Sequence, residues 1–106
     1  MNLLVCLILI AQLSWINCVD WQGNNWAMNC YYSNNDLKSV LSVASECGYK
    51  CYTEPNCTHF TWTKLNGGTC YMKKGYVTKQ NAIYNAYESR VCGLIYGEYR
   101  KKLIIT

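Results

Sequence analysis

The sequence predicts a small disulfide-rich α+β domain, with one helix packed on a four- to five-stranded antiparallel sheet. Three observations predict it. Cys30, Cys47, Cys51, Cys57, Cys70 and Cys92 follow an apolar leader, so their expected state is oxidised. Apolar residues recur at helical spacing across residues 37–51. Two runs rich in aromatic and β-branched residues flank an Asn-Gly-Gly turn, the pattern of a hairpin.

The leader is residues 3–13 (LLVCLILIAQL), followed by Ser14, Asn17 and Cys18. Its apolar run has the length of a signal-peptide core and is short for a bilayer span. Cleavage is expected after Cys18 or a residue or two earlier, although no Lys or Arg precedes the run and Ile16 is not small. A retained anchor or a buried N-terminal helix is the plainer alternative. Residues 1–18 are thus read as a signal peptide and residues 19–106 as a single secreted, extracellular domain without a membrane span. Losing Cys6 and Cys18 leaves an even set of six cysteines. The stretch 103–105 is too short for a lipid-anchor tail.

A core of this size is weakly stable without covalent staples. The formal charge of +4 is unevenly spread. Residues 19–63 sum to −2 and residues 64–106 to +6. The basic half could attract acidic glycans or an acidic protein face, but ordinary solubilising charge is the plainer reading. Export removes nucleic acid as a partner.

Along the chain, residues 26–32 (WAMNCYY) alternate, placing Trp26, Met28, Cys30 and Tyr32 on one strand face. Asn34, Asn35 and Asp36 supply a helix N-cap. Leu37, Val40, Leu41, Ala44, Cys47 and Cys51 then share a helical stripe, with Gly48 near the helix end. Pro55 turns the loop after the helix. Residues 58–65 (THFTWTKL) form a strand with Phe60 and Trp62 on the core face and His59, Thr61 and Thr63 on the other. Residues 66–68 turn the chain, and residues 69–73 (TCYMK) return. Residues 82–87 alternate weakly, and residues 90–95 form a terminal strand.

Cys-x3-Cys-x5-Cys could supply zinc thiolates, but an oxidising compartment favours disulfides, so no metal or cofactor is expected. His59 is the single histidine and no nucleophile-elbow motif is present, so the chain is read as non-catalytic. His59 is expected to bond locally or face solvent. Tyrosine and tryptophan suit sugar stacking and protein interfaces. Lys73 and Lys74, with Lys64 across the hairpin, could converge into a basic edge; the plainer reading is solvent-facing charge that resists edge-to-edge aggregation. The candidate ligand-binding residues are Tyr71, Lys73, Lys74, Tyr76 and Arg90. Asn56-Cys57-Thr58 is a formal N-glycosylation sequon at Asn56. Six cysteines permit 15 connectivities.

The run Cys57-Thr58-His59-Phe60-Thr61-Trp62, followed by Gly67-Gly68-Thr69-Cys70-Tyr71-Met72-Lys73, resembles the core of PAN/apple domains. Cys47 and Cys51 match that family's helical Cys-x3-Cys pair, and Cys30 and Cys92 its outer cysteines. The resemblance covers residues 26–95 and is loosest over 75–89. It implies the pairs Cys30–Cys92, Cys47–Cys70 and Cys51–Cys57. It also implies a secreted binding module that contacts extracellular glycans or proteins. A self-assembling structural or effector protein is the alternative, as is a protease inhibitor using the stapled loop 52–56.

Overall fold

The two runs around the Asn-Gly-Gly turn become the centre of the fold. The computed structural model describes residues 3–5 (backbone only), 18–23 and 25–95. In chain order its elements are β1 (Leu3–Val5), β2 (Val19–Gln22), β3 (Trp26–Met28), β4 (Cys30–Tyr31), β5 (Asp36–Leu41) and α1 (Ala44–Thr53). They continue with β6 (His59–Thr63), β7 (Thr69–Lys73), β8 (Ile83–Tyr84) and β9 (Val91–Leu94). One antiparallel sheet has the order β1-β2-β3-β9-β6-β7-β5, and β4 pairs with β8 in a small second sheet. The sheet exceeds four or five strands because β5 joins one edge and β1 and β2 extend the other.

β6 and β7 run in register from His59 opposite Lys73 to Thr63 opposite Thr69. Asn66 and Gly67 turn between them in left-handed backbone, φ 55° and 85°. Gly68 follows at φ 132°, where a Cβ would collide with the Ser42 carbonyl oxygen. That oxygen also accepts the Trp62 indole N–H at 2.7 Å.

α1 packs on β6 and β7. Cys47, Cys51, Cys57, Phe60, Cys70 and Met72 form the core beneath it. The opposite face carries β4 and β8, with Val19, Trp21, Ala27, Cys30, Tyr32, Cys92 and Leu94 in a second core. Three disulfides fasten these layers: Cys30–Cys92, Cys47–Cys70 and Cys51–Cys57. They are the pairs that the resemblance implies, and they consume the sulfurs that a zinc reading would use.

Four local expectations are corrected. Residues 36–41 are an edge strand, not the start of the helix. Asn34 and Asn35 adopt φ 62° and 63°, turning the chain onto β7 where the sequence suggested a cap. A register shift between Asp36 and Lys38 breaks the period-two pattern of β5, so that Leu37 and Val40, three residues apart, pack on the same core and mimicked a helical stripe. The helix begins after Val43 and passes through Gly48 to Thr53. Cys47 and Cys51 still share its buried face.

The third correction concerns residues 26–32. Asn29, at φ 60°, breaks the alternation. Ala27 is buried while Trp26 and Met28 are exposed; beyond the break, Cys30 and Tyr32 are buried on the opposite face. The fourth is the basic edge. In the β6–β7 register Lys73 lies opposite His59, whereas Lys64 lies beyond the Thr63–Thr69 pair at the other end, roughly 14 Å or more away.

In this chain Cys18 is disulfide-bonded and β1 pairs with β2, Leu3 opposite Trp21 and Val5 opposite Val19. Residues 1–2, 6–17, 24 and the basic stretch after Ile95 lie outside the described residues. No helix among the described residues is long and apolar enough to cross a membrane.

Candidate functional site

α1 presents two neighbouring stripes. Cys47 and Cys51 fasten one to the loop and sheet. Ser45, Gly48, Tyr49 and Tyr52, at spacings of three, four and seven, form the other. No strand among the described residues closes over this second stripe. It forms one wall of a groove of about 730 Å³ between α1 and the β9–β3 side of the sheet. The opposite wall is Trp26, Met28 and Val91, with Asn25 and Ile95 at the strand ends and Ala44 at the helix start.

Strand register explains the second wall. Trp26 lies opposite Gly93 and Met28 opposite Val91, so their side chains share the helix-facing side. Phe60 also pairs with Gly93 across β9. Its ring forms the floor, occupying the space left by two missing side chains. A Cβ on Gly48 would touch the ring at 3.4 Å, and one on Gly93 would collide with its edge.

The groove is apolar and open. Trp26, Met28 and Tyr49 are 42%, 58% and 69% exposed, a cluster of large apolar groups left in water. The Tyr49 and Tyr52 rings lie 6.3 Å apart, tilted by 38°. No lining residue carries a charge. The lining therefore offers ring faces, aliphatic contact and a few neutral hydrogen-bonding groups. It suits an uncharged apolar or ring-shaped group and disfavours desolvating an ion.

None of the five candidates named from the sequence lines this groove. Tyr71 is half-buried in β7. Lys73 is buried, donating to the Asp36 carboxylate and to the Asn34 carbonyl at 3.0 Å. Arg90 pairs with Glu88 and lies over the Tyr31 ring at 4.6 Å. Lys74 and Tyr76 are exposed, Tyr76 to 90%. The sequence does not single out the groove residues, because the stripe at 45, 48, 49 and 52 lies beside the stronger Cys47–Cys51 stripe on the same helix. The signal was present at 45, 48, 49 and 52; the sheet wall became visible only with the break at Asn29.

His59 is wholly buried on the other face of β6. Its Nδ1 shares a hydrogen bond with the Thr58 hydroxyl at 2.8 Å, and its ring meets Tyr32 edge-on at 4.9 Å. Burial first, and then the neighbouring Lys73 ammonium, lower its pKa from 6.5 to about 4, against a smaller opposing effect of Asp36. The unfolded chain therefore binds a proton between pH 6.5 and about 4 that the folded chain refuses. Stability is retained above that window and falls with pH through it, by at most about 1.4 kcal/mol per pH unit. Denaturant midpoints measured at pH 7 and 4.5 should show this loss. His59→Phe should have a flatter profile, and an equally steep one would remove His59 as the cause.

The family comparison matches the described geometry. A model described as PAN domain matches residues 28–98, from the end of β3 past β9. No curated protein and no solved structure gives a significant match.

Proposed function

The chain belongs to the PAN-domain family, and from that premise we propose that it is a secreted, non-catalytic binding module whose ligand seats in the groove between α1 and β3. PAN domains are modules of protein or carbohydrate interaction. The observation that carries this reading is the uncharged cleft of about 730 Å³ with Trp26, Tyr49 and Tyr52 on its walls. Three disulfides accord with an oxidising extracellular setting; with residues 1–18 acting as the export signal, β1 and Cys18 leave on cleavage and the sheet of the mature domain begins at β2. The preferred partner is an extracellular protein that inserts a neutral apolar side chain over Phe60. Exposed indole and phenol rings favour a second reading, a neutral sugar ring stacked on the same walls.

Folded protein screened on a glycan array and in an extracellular-protein pull-down tests both readings. Trp26→Ala and Tyr49→Ala should each weaken the captured interaction about 10- to 30-fold, the range for a central aromatic contact. Both side chains are partly in water, so the fold should tolerate their loss. An interaction untouched by these changes but lost in Lys74→Ala or Tyr76→Ala would move the site to the residues named from sequence. An empty result in both screens would overturn the reading.

A further inference from the structure

The sequon Asn56-Cys57-Thr58 occupies the loop between α1 and β6, and the fold engages two of its three residues. Cys57 is completely buried and bonded to Cys51. The Thr58 hydroxyl donates to the Gly75 carbonyl and contacts His59 Nδ1. The Thr58 backbone is held from both sides: its N–H donates to Lys73 at 2.8 Å, and its carbonyl accepts from Ile95 at 2.8 Å. Asn56 alone remains exposed, at φ 71°.

Enzymatic N-glycosylation needs the asparagine amide and the hydroxyl two residues later free together on an extended chain. The folded loop withholds that hydroxyl. We infer that Asn56 is an N-glycosylation site open only until Cys57 pairs with Cys51, so that glycan transfer and disulfide closure compete during synthesis. This rests on the export reading above. In the transfer, the Asn56 amide nitrogen forms a bond to C1 of the sugar of a polyprenyl-pyrophosphate oligosaccharide. The C1–O bond to pyrophosphate breaks, the polyprenyl pyrophosphate departs, and the amide nitrogen loses one proton. Because the Asn56 side chain faces solvent, the bridge closes afterwards without displacing the sugar.

Cys51 and Cys57 are six residues apart, so both thiols emerge within roughly 0.3–1 s of each other at ordinary synthesis rates. Disulfide formation takes seconds or longer. The transferase therefore has seconds or longer in which to act before the bridge closes, and the expected product is a mixture.

The test expresses the full chain in a eukaryotic secretory host with a reporter glycosylation domain fused after residue 106. Intact mass is read before and after amidase removal of N-glycans, on medium and on the intracellular pool. Wild type should be partly modified at Asn56. Cys51→Ser, which leaves the sequon intact, should raise occupancy at least about twofold in the intracellular pool even if the variant is not exported. A pulse of reductant on wild-type cells should do the same without any substitution. Asn56→Gln should abolish the modification. Chains whose reporter is modified but whose Asn56 stays bare in all conditions overturn the site. Occupancy that is complete and indifferent to reductant overturns the competition. An unmodified reporter shows that the chain never entered the lumen, which overturns the export reading and this inference with it.

Discussion

Replacing both Cys30 and Cys92 by alanine should lower the unfolding free energy by about 4 kcal/mol, the entropic value of a bridge closing a 62-residue loop. No other described bridge spans so much chain. Cys47–Cys70 closes 23 residues and Cys51–Cys57 six, worth about 3 and about 2 kcal/mol on the same scale. The outer bridge joins β4, in the small sheet, to β9, in the large one. It lies wholly buried among Trp21, Ala27 and Tyr32, so water gains nothing from its removal. Denaturant unfolding of the double variant, compared with a matched Cys51/Cys57 double variant under non-reducing conditions, measures the difference. The ordering fails if loss of the outer bridge costs no more than loss of the short one.

Gly93→Val should cost about 3 kcal/mol, the upper part of the range for forcing extra carbon into a packed interior. β9 is paired on both sides, with β3 and with β6, and has little freedom to shift. A Cβ at this position would clash with the edge of the Phe60 ring and stand 2.9 Å from the Asn25 carbonyl oxygen. The ring has one open direction, into the groove whose floor it forms. The variant should therefore lose ligand binding as well as stability. Gly48→Ala is the control. Its Cβ meets the same ring at an ordinary 3.4–3.5 Å, and helix propensity favours alanine by up to about 1 kcal/mol. Equal destabilisation by the two changes would contradict this placement of Phe60.

Elements governed by short-range chemistry were legible in the sequence. The β6–β7 hairpin follows from alternation around residues 66–68, and its strands end within two residues of the expected limits. The sulfur-bearing face of the helix follows from the four-residue spacing of Cys47 and Cys51. Features set by distant residues were not legible. β5 exists because β7 offers an edge about thirty residues later, and Asp36 and Lys73 meet across that pairing. Lys73 was read as solvent-facing because nothing beside it in sequence marks it for burial. That Trp26 and Met28 share a face was legible, but their separation from Cys30 and Tyr32 depends on one left-handed residue, Asn29, a conformation that composition does not announce.

α1 has ten residues, too few to be stable alone in water. Its anchors are sulfurs on one side, and the side chains at 45, 49 and 52 project from the next. Those three positions can be rewritten while the covalent attachment continues to hold the helix in place. The domain is thus suited to engineering as a display chassis, where a small combinatorial library retargets recognition without a new fold being designed.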